Sequence, residues 1–186
     1  MLNPGSLYDG CMRRILVATV MISALCLSHA SMADESNLDP VFPNLPLYAP
    51  DGSEQVDLES FKGHPILLTF WASYCGPCRE ELPALEKMFA ELGDDGFVLV
   101  TVNMDKTPDM GARFLERYDI DIPVYRMDGP TLMRLGVKAL PTNILLDADM
   151  RPVRIYQGYH PTVPDEIRKL VVKILAGASM ANGGLS

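Results

Sequence analysis

The chain has 186 residues, 48% of them hydrophobic and 22% charged, which excludes a disordered protein and fits one globular domain. Sixteen Lys and Arg stand against 24 Asp and Glu, a formal net charge of −8. That balance argues against nucleic acid as a partner, because no face is expected to be basic enough to hold a phosphate backbone.

The N-terminus sets the compartment. Met12-Arg13-Arg14 precedes Ile15 to Leu27, an uncharged apolar run, and then the small residues Ser28-His29-Ala30 and Ser31-Met32-Ala33. That order reads as a secretory signal peptide, with Met1 to Cys11 as an extension ahead of a true start at Met12. As a helix the run spans only about 20 Å, short of the roughly 30 Å hydrocarbon core, so cleavage is expected, with an uncleaved membrane anchor as the alternative. Leu25 before Cys26 lacks the small side chain of a lipidation signal. Cleavage after Ala30 or Ala33 removes Cys11 and Cys26, leaves Cys75 and Cys78, and makes the mature charge −9.

Residues 34–46 are expected to be a linker, 47–177 the folded domain and 178–186 a flexible tail. Pro40, Pro43, Pro46 and Pro50 break any helix and lead into an edge strand, and Asp51-Gly52 marks a tight turn. Ile66 to Trp71 has the length and apolarity of a strand buried on both faces. A helix is expected over 76–92, with Leu82, Leu85, Met88, Phe89 and Leu92 at helical spacing, Pro83 kinking it and Gly93 ending it. A second buried strand over 97–102 leads to a helix opened by Thr107-Pro108 and running to Tyr118. Three further strands are expected over 124–127, 143–147 and 153–157, the last two joined by a turn at 148–151. A closing helix carries Ile167, Leu170, Val171, Ile174 and Leu175 on one face, begins with a capping box of Thr162 and Asp165, and stops at Gly177. Alternating strands and helices imply a three-layer α/β domain with helices on both faces of the sheet.

The chemistry concentrates at Cys75-Gly76-Pro77-Cys78, where a strand meets a helix. Zinc is disfavoured because His64 and His160 are isolated and no other cysteine survives cleavage. A purely structural disulfide closing so short a loop gains little stability. At the N-cap position, by contrast, unpaired amides and the helix dipole favour the Cys75 thiolate. Lowering a thiol pKa from about 8.5 to about 7 raises the reactive fraction at neutral pH more than tenfold. Cys75 is therefore the expected nucleophile and Cys78, one turn inward, the resolving thiol. Gly76 permits close approach of a partner backbone, and Pro77 is preset for the first helical turn.

Trp71 to Pro83, with the turn at Asp51-Gly52, Phe61-Lys62-Gly63 and Leu140-Pro141-Thr142, resembles the exported thioredoxin-fold reductases of the TlpA/ResA type, from about Pro43 to Ala176. The resemblance implies a thioredoxin-like central mixed sheet and a cis Pro141 lying against the disulfide. It further implies a Leu140 backbone that pairs with an extended substrate, and substrate contacts from Trp71, Tyr74, Gly76, Pro77, Leu140 and Pro141. An ordinary strand-initiating proline is the alternative for Pro141. Glu81 matches an acid these reductases carry three residues after the second cysteine, where it tunes thiol pKa or relays a proton. The alternative for Glu81 is a solvated acid near a helix N-terminus.

Two departures stand out. Thr69 occupies the place of the buried Asp of thioredoxin, leaving Glu81 or water as proton acceptor, and Tyr74 stands where the family usually has Trp. Leu68 and Ala72 break the peroxiredoxin pattern, so peroxidase activity is not expected. The resemblance implies an exported, periplasmic thiol-disulfide oxidoreductase that reduces protein disulfides without a further cofactor. Apocytochrome c during cytochrome c maturation is the implied substrate, and a membrane thiol-transfer reductase the electron donor. A disulfide oxidase or isomerase, and a non-catalytic metallochaperone or adaptor, are the alternatives.

Overall fold

The computed structural model describes residues 45–182. The expected leader, with Cys11, Cys26 and both cleavage positions, lies outside the described residues. The first described residue, Leu45, is already fully buried. The fold thus begins inside the stretch expected to be linker, because Leu45 and Leu47 alternate inward from strand β1 (Pro46–Tyr48). β1 pairs antiparallel with β2 (Gln55–Asp57). Between them Asp51 Oδ1 accepts from the Ser53 amide at 2.9 Å, and Gly52 takes φ +76.

The main sheet is assembled from β3 (Ile66–Trp71), β4 (Val98–Asn103), β5 (Val124–Tyr125), β6 (Thr142–Leu146) and β7 (Pro152–Gln157), in the order β5-β4-β3-β6-β7. β3, β4 and β5 run parallel, while β6 and β7 are antiparallel, so the sheet is mixed as expected. All six residues of the central β3 are buried, the consequence of apolar cover on both faces. β5 is shorter than its sequence suggested, because the Arg126 backbone leaves the sheet to exchange two hydrogen bonds with Tyr48 of β1.

Helices α1 (Gly76–Leu92), α2 (Pro108–Tyr118) and α4 (Val163–Asn182) bring Leu82, Leu85, Met88, Phe114, Ile167 and Val171 into one core cluster. The opposite cluster gathers Leu45, Leu47 and Leu58 with Val100, Val102 and Ile144, beside the short helix α3 (Gly129–Arg134). The sequence reading lacks α3, which at six residues shows no helical period. Asp128 caps it, accepting from the Thr131 amide at 2.7 Å. α4 differs from expectation at both ends. The Thr162 hydroxyl donates to the Glu166 carboxylate rather than joining a box with Asp165. The helix also passes through Gly177 to Asn182, since Ala178, Met180 and Ala181 are good helix formers.

Candidate active site

β3 ends at Trp71 and the chain turns through Ala72, where the Cys75 amide donates to the Ala72 carbonyl at 3.0 Å. Cys75 then occupies the N-cap of α1 with an extended backbone, Pro77 sits in the first turn, and the Cys75 sulfur accepts from the Cys78 amide at 3.2 Å. The two sulfurs are joined in a disulfide, S–S 2.03 Å. Cys78 has no exposed surface, whereas Cys75 keeps 7% and borders an open groove. Reduction of the pair therefore presents one sulfur to a partner.

The groove encloses about 510 Å³. Tyr74, Cys75, Gly76 and Pro77 form one wall, and Val137 to Leu140 with Met104 form the other. Tyr74 is 70% exposed at the rim. The Leu140–Pro141 peptide is cis. The Thr142 hydroxyl donates to the Ala139 carbonyl at 2.7 Å and the Gly158 amide to the Pro141 carbonyl at 2.7 Å, fixing the segment just before β6. Among the described residues, no backbone hydrogen bond engages the Leu140 N–H or C=O.

Trp71 requires correction. Its ring is completely buried and packs on Phe114 at 5.5 Å, because both faces of β3 are covered and the Trp71 face lies under α1 and α2, outside the lining of the groove. It supports the site without reaching a substrate.

Glu81 is no solvated acid. One turn beyond Cys78 on α1, it is fully buried, and its Oε1 accepts from Asn143 Nδ2 at 2.9 Å. Asn143 Oδ1 in turn accepts from the Thr69 hydroxyl at 2.9 Å, so Thr69 orients the amide that holds the acid. Burial pushes the Glu81 carboxyl up to about 7, against the opposing pull of the Asn143 hydrogen bond. Among the described residues Glu81 Oε2 has no partner, so the second oxygen remains free for a proton.

A second polar network lies on the other side of the loop. Asp105, 1% exposed, accepts from the Ser73 amide at 3.0 Å and the Ser73 hydroxyl at 2.8 Å. Asn103 Nδ2 donates to Asp105 at 2.9 Å, and Arg126 Nη2 donates to the Asp105 carbonyl at 2.9 Å. These bonds tie the loop two residues ahead of Cys75 to the end of β4. Sequence reasoning missed Asn103, Asp105 and Asn143. The available signal is a polar residue at the margin of an otherwise apolar strand, which invites the question of what satisfies it.

Gly111 of α2 makes this network possible, since a Cβ there would lie 2.7 Å from Asn103 Nδ2. Ala normally stabilises an exposed helical position relative to Gly by roughly 0.5–1 kcal/mol. Gly111→Ala is expected to do the reverse and cost about 1–3 kcal/mol by overpacking, read as a lower urea midpoint at unchanged slope. A midpoint at or above that of the native chain would show that Asn103 has room to move.

The sequence pattern of the Redoxin family matches residues 38–171. A thiol-disulfide oxidoreductase ResA of Halalkalibacterium halodurans is 30% identical over 106 residues, 56% of this chain and 60% of that protein. The match to this relative spans less than two thirds of its length. A ResA of Bacillus cereus is 25% identical over 150 residues, 78% of this chain and 86% of that protein. Among solved structures, a Chlorobium tepidum protein described as a thiol:disulfide interchange protein DsbE superposes with a TM-score of 0.65 at 30% identity, covering 72% of this chain and 94% of its own.

Proposed function

Since the chain belongs to the Redoxin family and, within it, to the thiol-disulfide oxidoreductases of ResA and TlpA type, we propose that it reduces protein disulfides through Cys75 and Cys78 after export. The Cys75 thiolate attacks one sulfur of the substrate disulfide, forming a mixed disulfide and releasing the first substrate thiolate. The Cys78 thiolate then attacks Cys75, releasing the second thiolate and closing Cys75–Cys78. Two electrons pass to the substrate, whose released thiolates take their protons from solvent, and an external dithiol donor must return the electrons to Cys75 and Cys78.

The observation that carries this reading is the Cys75–Cys78 disulfide at the mouth of the groove, facing an unpaired Leu140 backbone. An extended substrate segment can add there as a strand, with Tyr74, Gly76, Pro77 and Leu140 lining its path and the buried cis Pro141 supporting Leu140 from behind. Glu81 would take up or supply a proton near Cys78, since an acid titrating near 7 serves both directions. The N-terminal sequence supports export, with the leader ending by Ala33, ahead of a folded domain that has begun by the buried Leu45. No helix among the described residues is long and apolar enough to cross a membrane. Within this reading the oxidising compartment calls for a membrane thiol-transfer reductase as donor, and apocytochrome c is the substrate we assign.

Equilibration of the mature chain against a glutathione series tests the direction of electron flow. A reducing potential is expected, and a value near the oxidising extreme of about −120 mV would assign an oxidase instead. In parallel, insulin-disulfide reduction should proceed with multiple turnovers. Absence of turnover together with stoichiometric metal uptake would assign a metallochaperone.

A further inference from the structure

A second cavity, of about 270 Å³, opens beside Ser73 between the first turns of α1 and the face of α2. Arg79, Arg113 and Arg117 line it above the rings of Phe114 and Tyr118. We infer that this cavity is a carboxylate subsite whose ligand is an acidic residue of the protein partner that exchanges its disulfide at Cys75. The inference rests on the disulfide-exchange reading above and adds the charge of the substrate to it.

Charge is the first argument. The chain is acidic overall, at −8, yet three arginines line this one cavity. Arg113 and Arg117 are four residues apart on α2, a like-charge spacing that Asp109 offsets at Arg113 alone. Asp109 meets Arg113 at 3.6 Å, with both side chains about three-quarters exposed. Among the described residues neither Arg79 nor Arg117 has a carboxylate within 4.0 Å. Two planar forks are therefore left for an external carboxylate, which guanidinium groups bind in bidentate fashion.

Preorganisation is the second. Trp71 packs on Phe114, Phe114 on Tyr118 at 4.9 Å, and the Arg79 guanidinium lies 5.1 Å from the Tyr118 ring centre. This stack runs from the core beneath the cysteines to the cavity and holds Arg79 over its rim, lowering the entropy lost when an anion is bound. Continuity is the third. Ser73 borders the cavity and its neighbour Tyr74 borders the substrate groove, so the two openings flank the same active-site loop.

The test uses the full mature chain, reduced beforehand and mixed with four disulfides. Three are a single cystine peptide flanked by Glu, Gln or Lys, and the fourth is neutral hydroxyethyl disulfide. The Glu peptide is expected to react about tenfold faster than the Lys peptide at low salt, with the gap closing at about 0.5 M salt. Arg113→Glu combined with Arg117→Glu should reverse that order and leave hydroxyethyl disulfide unaffected. If the double variant loses the neutral reaction through misfolding, Arg117→Gln alone should still narrow the gap about threefold. Equal rates for the three peptides in the native chain would overturn the inference. So would glutarate slowing all four substrates alike, which would assign the cavity to a small free anion. A native chain that reduces none of the four would instead refute the disulfide-exchange reading on which the subsite depends.

Discussion

Cys75→Ser is expected to lower disulfide exchange by about four orders of magnitude, the usual scale for loss of a nucleophile, while Cys78→Ser leaves the chain covalently bound to its substrate. The asymmetry follows from the placement of two sulfurs three residues apart. Cys75 lies at the N-cap, borders the groove and retains some exposure, whereas Cys78 is turned into the core beside Trp71 and Leu82. Only Cys75 can be approached along the line an incoming disulfide needs. With Ser at 78 the mixed disulfide has no resolving thiol and persists. Non-reducing electrophoresis of cells expressing each variant reads the result directly. Capture of partners by Cys75→Ser rather than Cys78→Ser would reverse the assigned roles.

The second large effect concerns Glu81, whose carboxyl is raised from 4.5 to about 7 chiefly by burial. Between these values the folded protein binds a proton that the unfolded chain releases. The contribution of Glu81 to stability is therefore greatest below about pH 4.5, falls as pH rises through the interval, and levels off above about 7. At about 1.4 kcal/mol for each pH unit, the interval is worth up to about 3 kcal/mol. Glu81→Gln preserves the shape and the contact with Asn143 while removing the titration. It is expected to flatten this slope and to make the oxidised protein more stable than the native chain above pH 7. Urea unfolding of the oxidised form at a series of pH values measures both curves, and parallel curves would mean that Glu81 is solvated in solution. The same variant should lose the step near pH 7 from the pH profile of exchange if Glu81 handles a proton, whereas a purely structural role leaves that profile unchanged.

Much of the fold can be read from local pattern. The apolar run of β3, the helical spacing of Leu82, Leu85 and Met88, and Pro108 opening α2 are all realised. Departures fall where local pattern carries little information. α3 is too short to show a period, and β5 is cut back because Arg126 pairs with a residue 78 positions earlier. The family resemblance implies a substrate contact for Trp71, yet helices covering both faces of β3 bury its ring in the core.

Local sequence by itself determined the redox centre: a strand, an N-cap cysteine, a proline in the first turn and a second cysteine one turn inward. Each of those features acts over a few residues, through hydrogen-bond geometry and the helix dipole. Tertiary structure alone decided what surrounds that centre. Glu81 acquires its raised pKa because Asn143, 62 residues away, meets it in a site from which water is excluded. Ser73 is pinned by Asp105, 32 residues on, and three arginines from two helices share one cavity. Burial, and the strength of hydrogen bonds and charges within it, depend on which elements stack together, and the spacing of residues along one element cannot encode that.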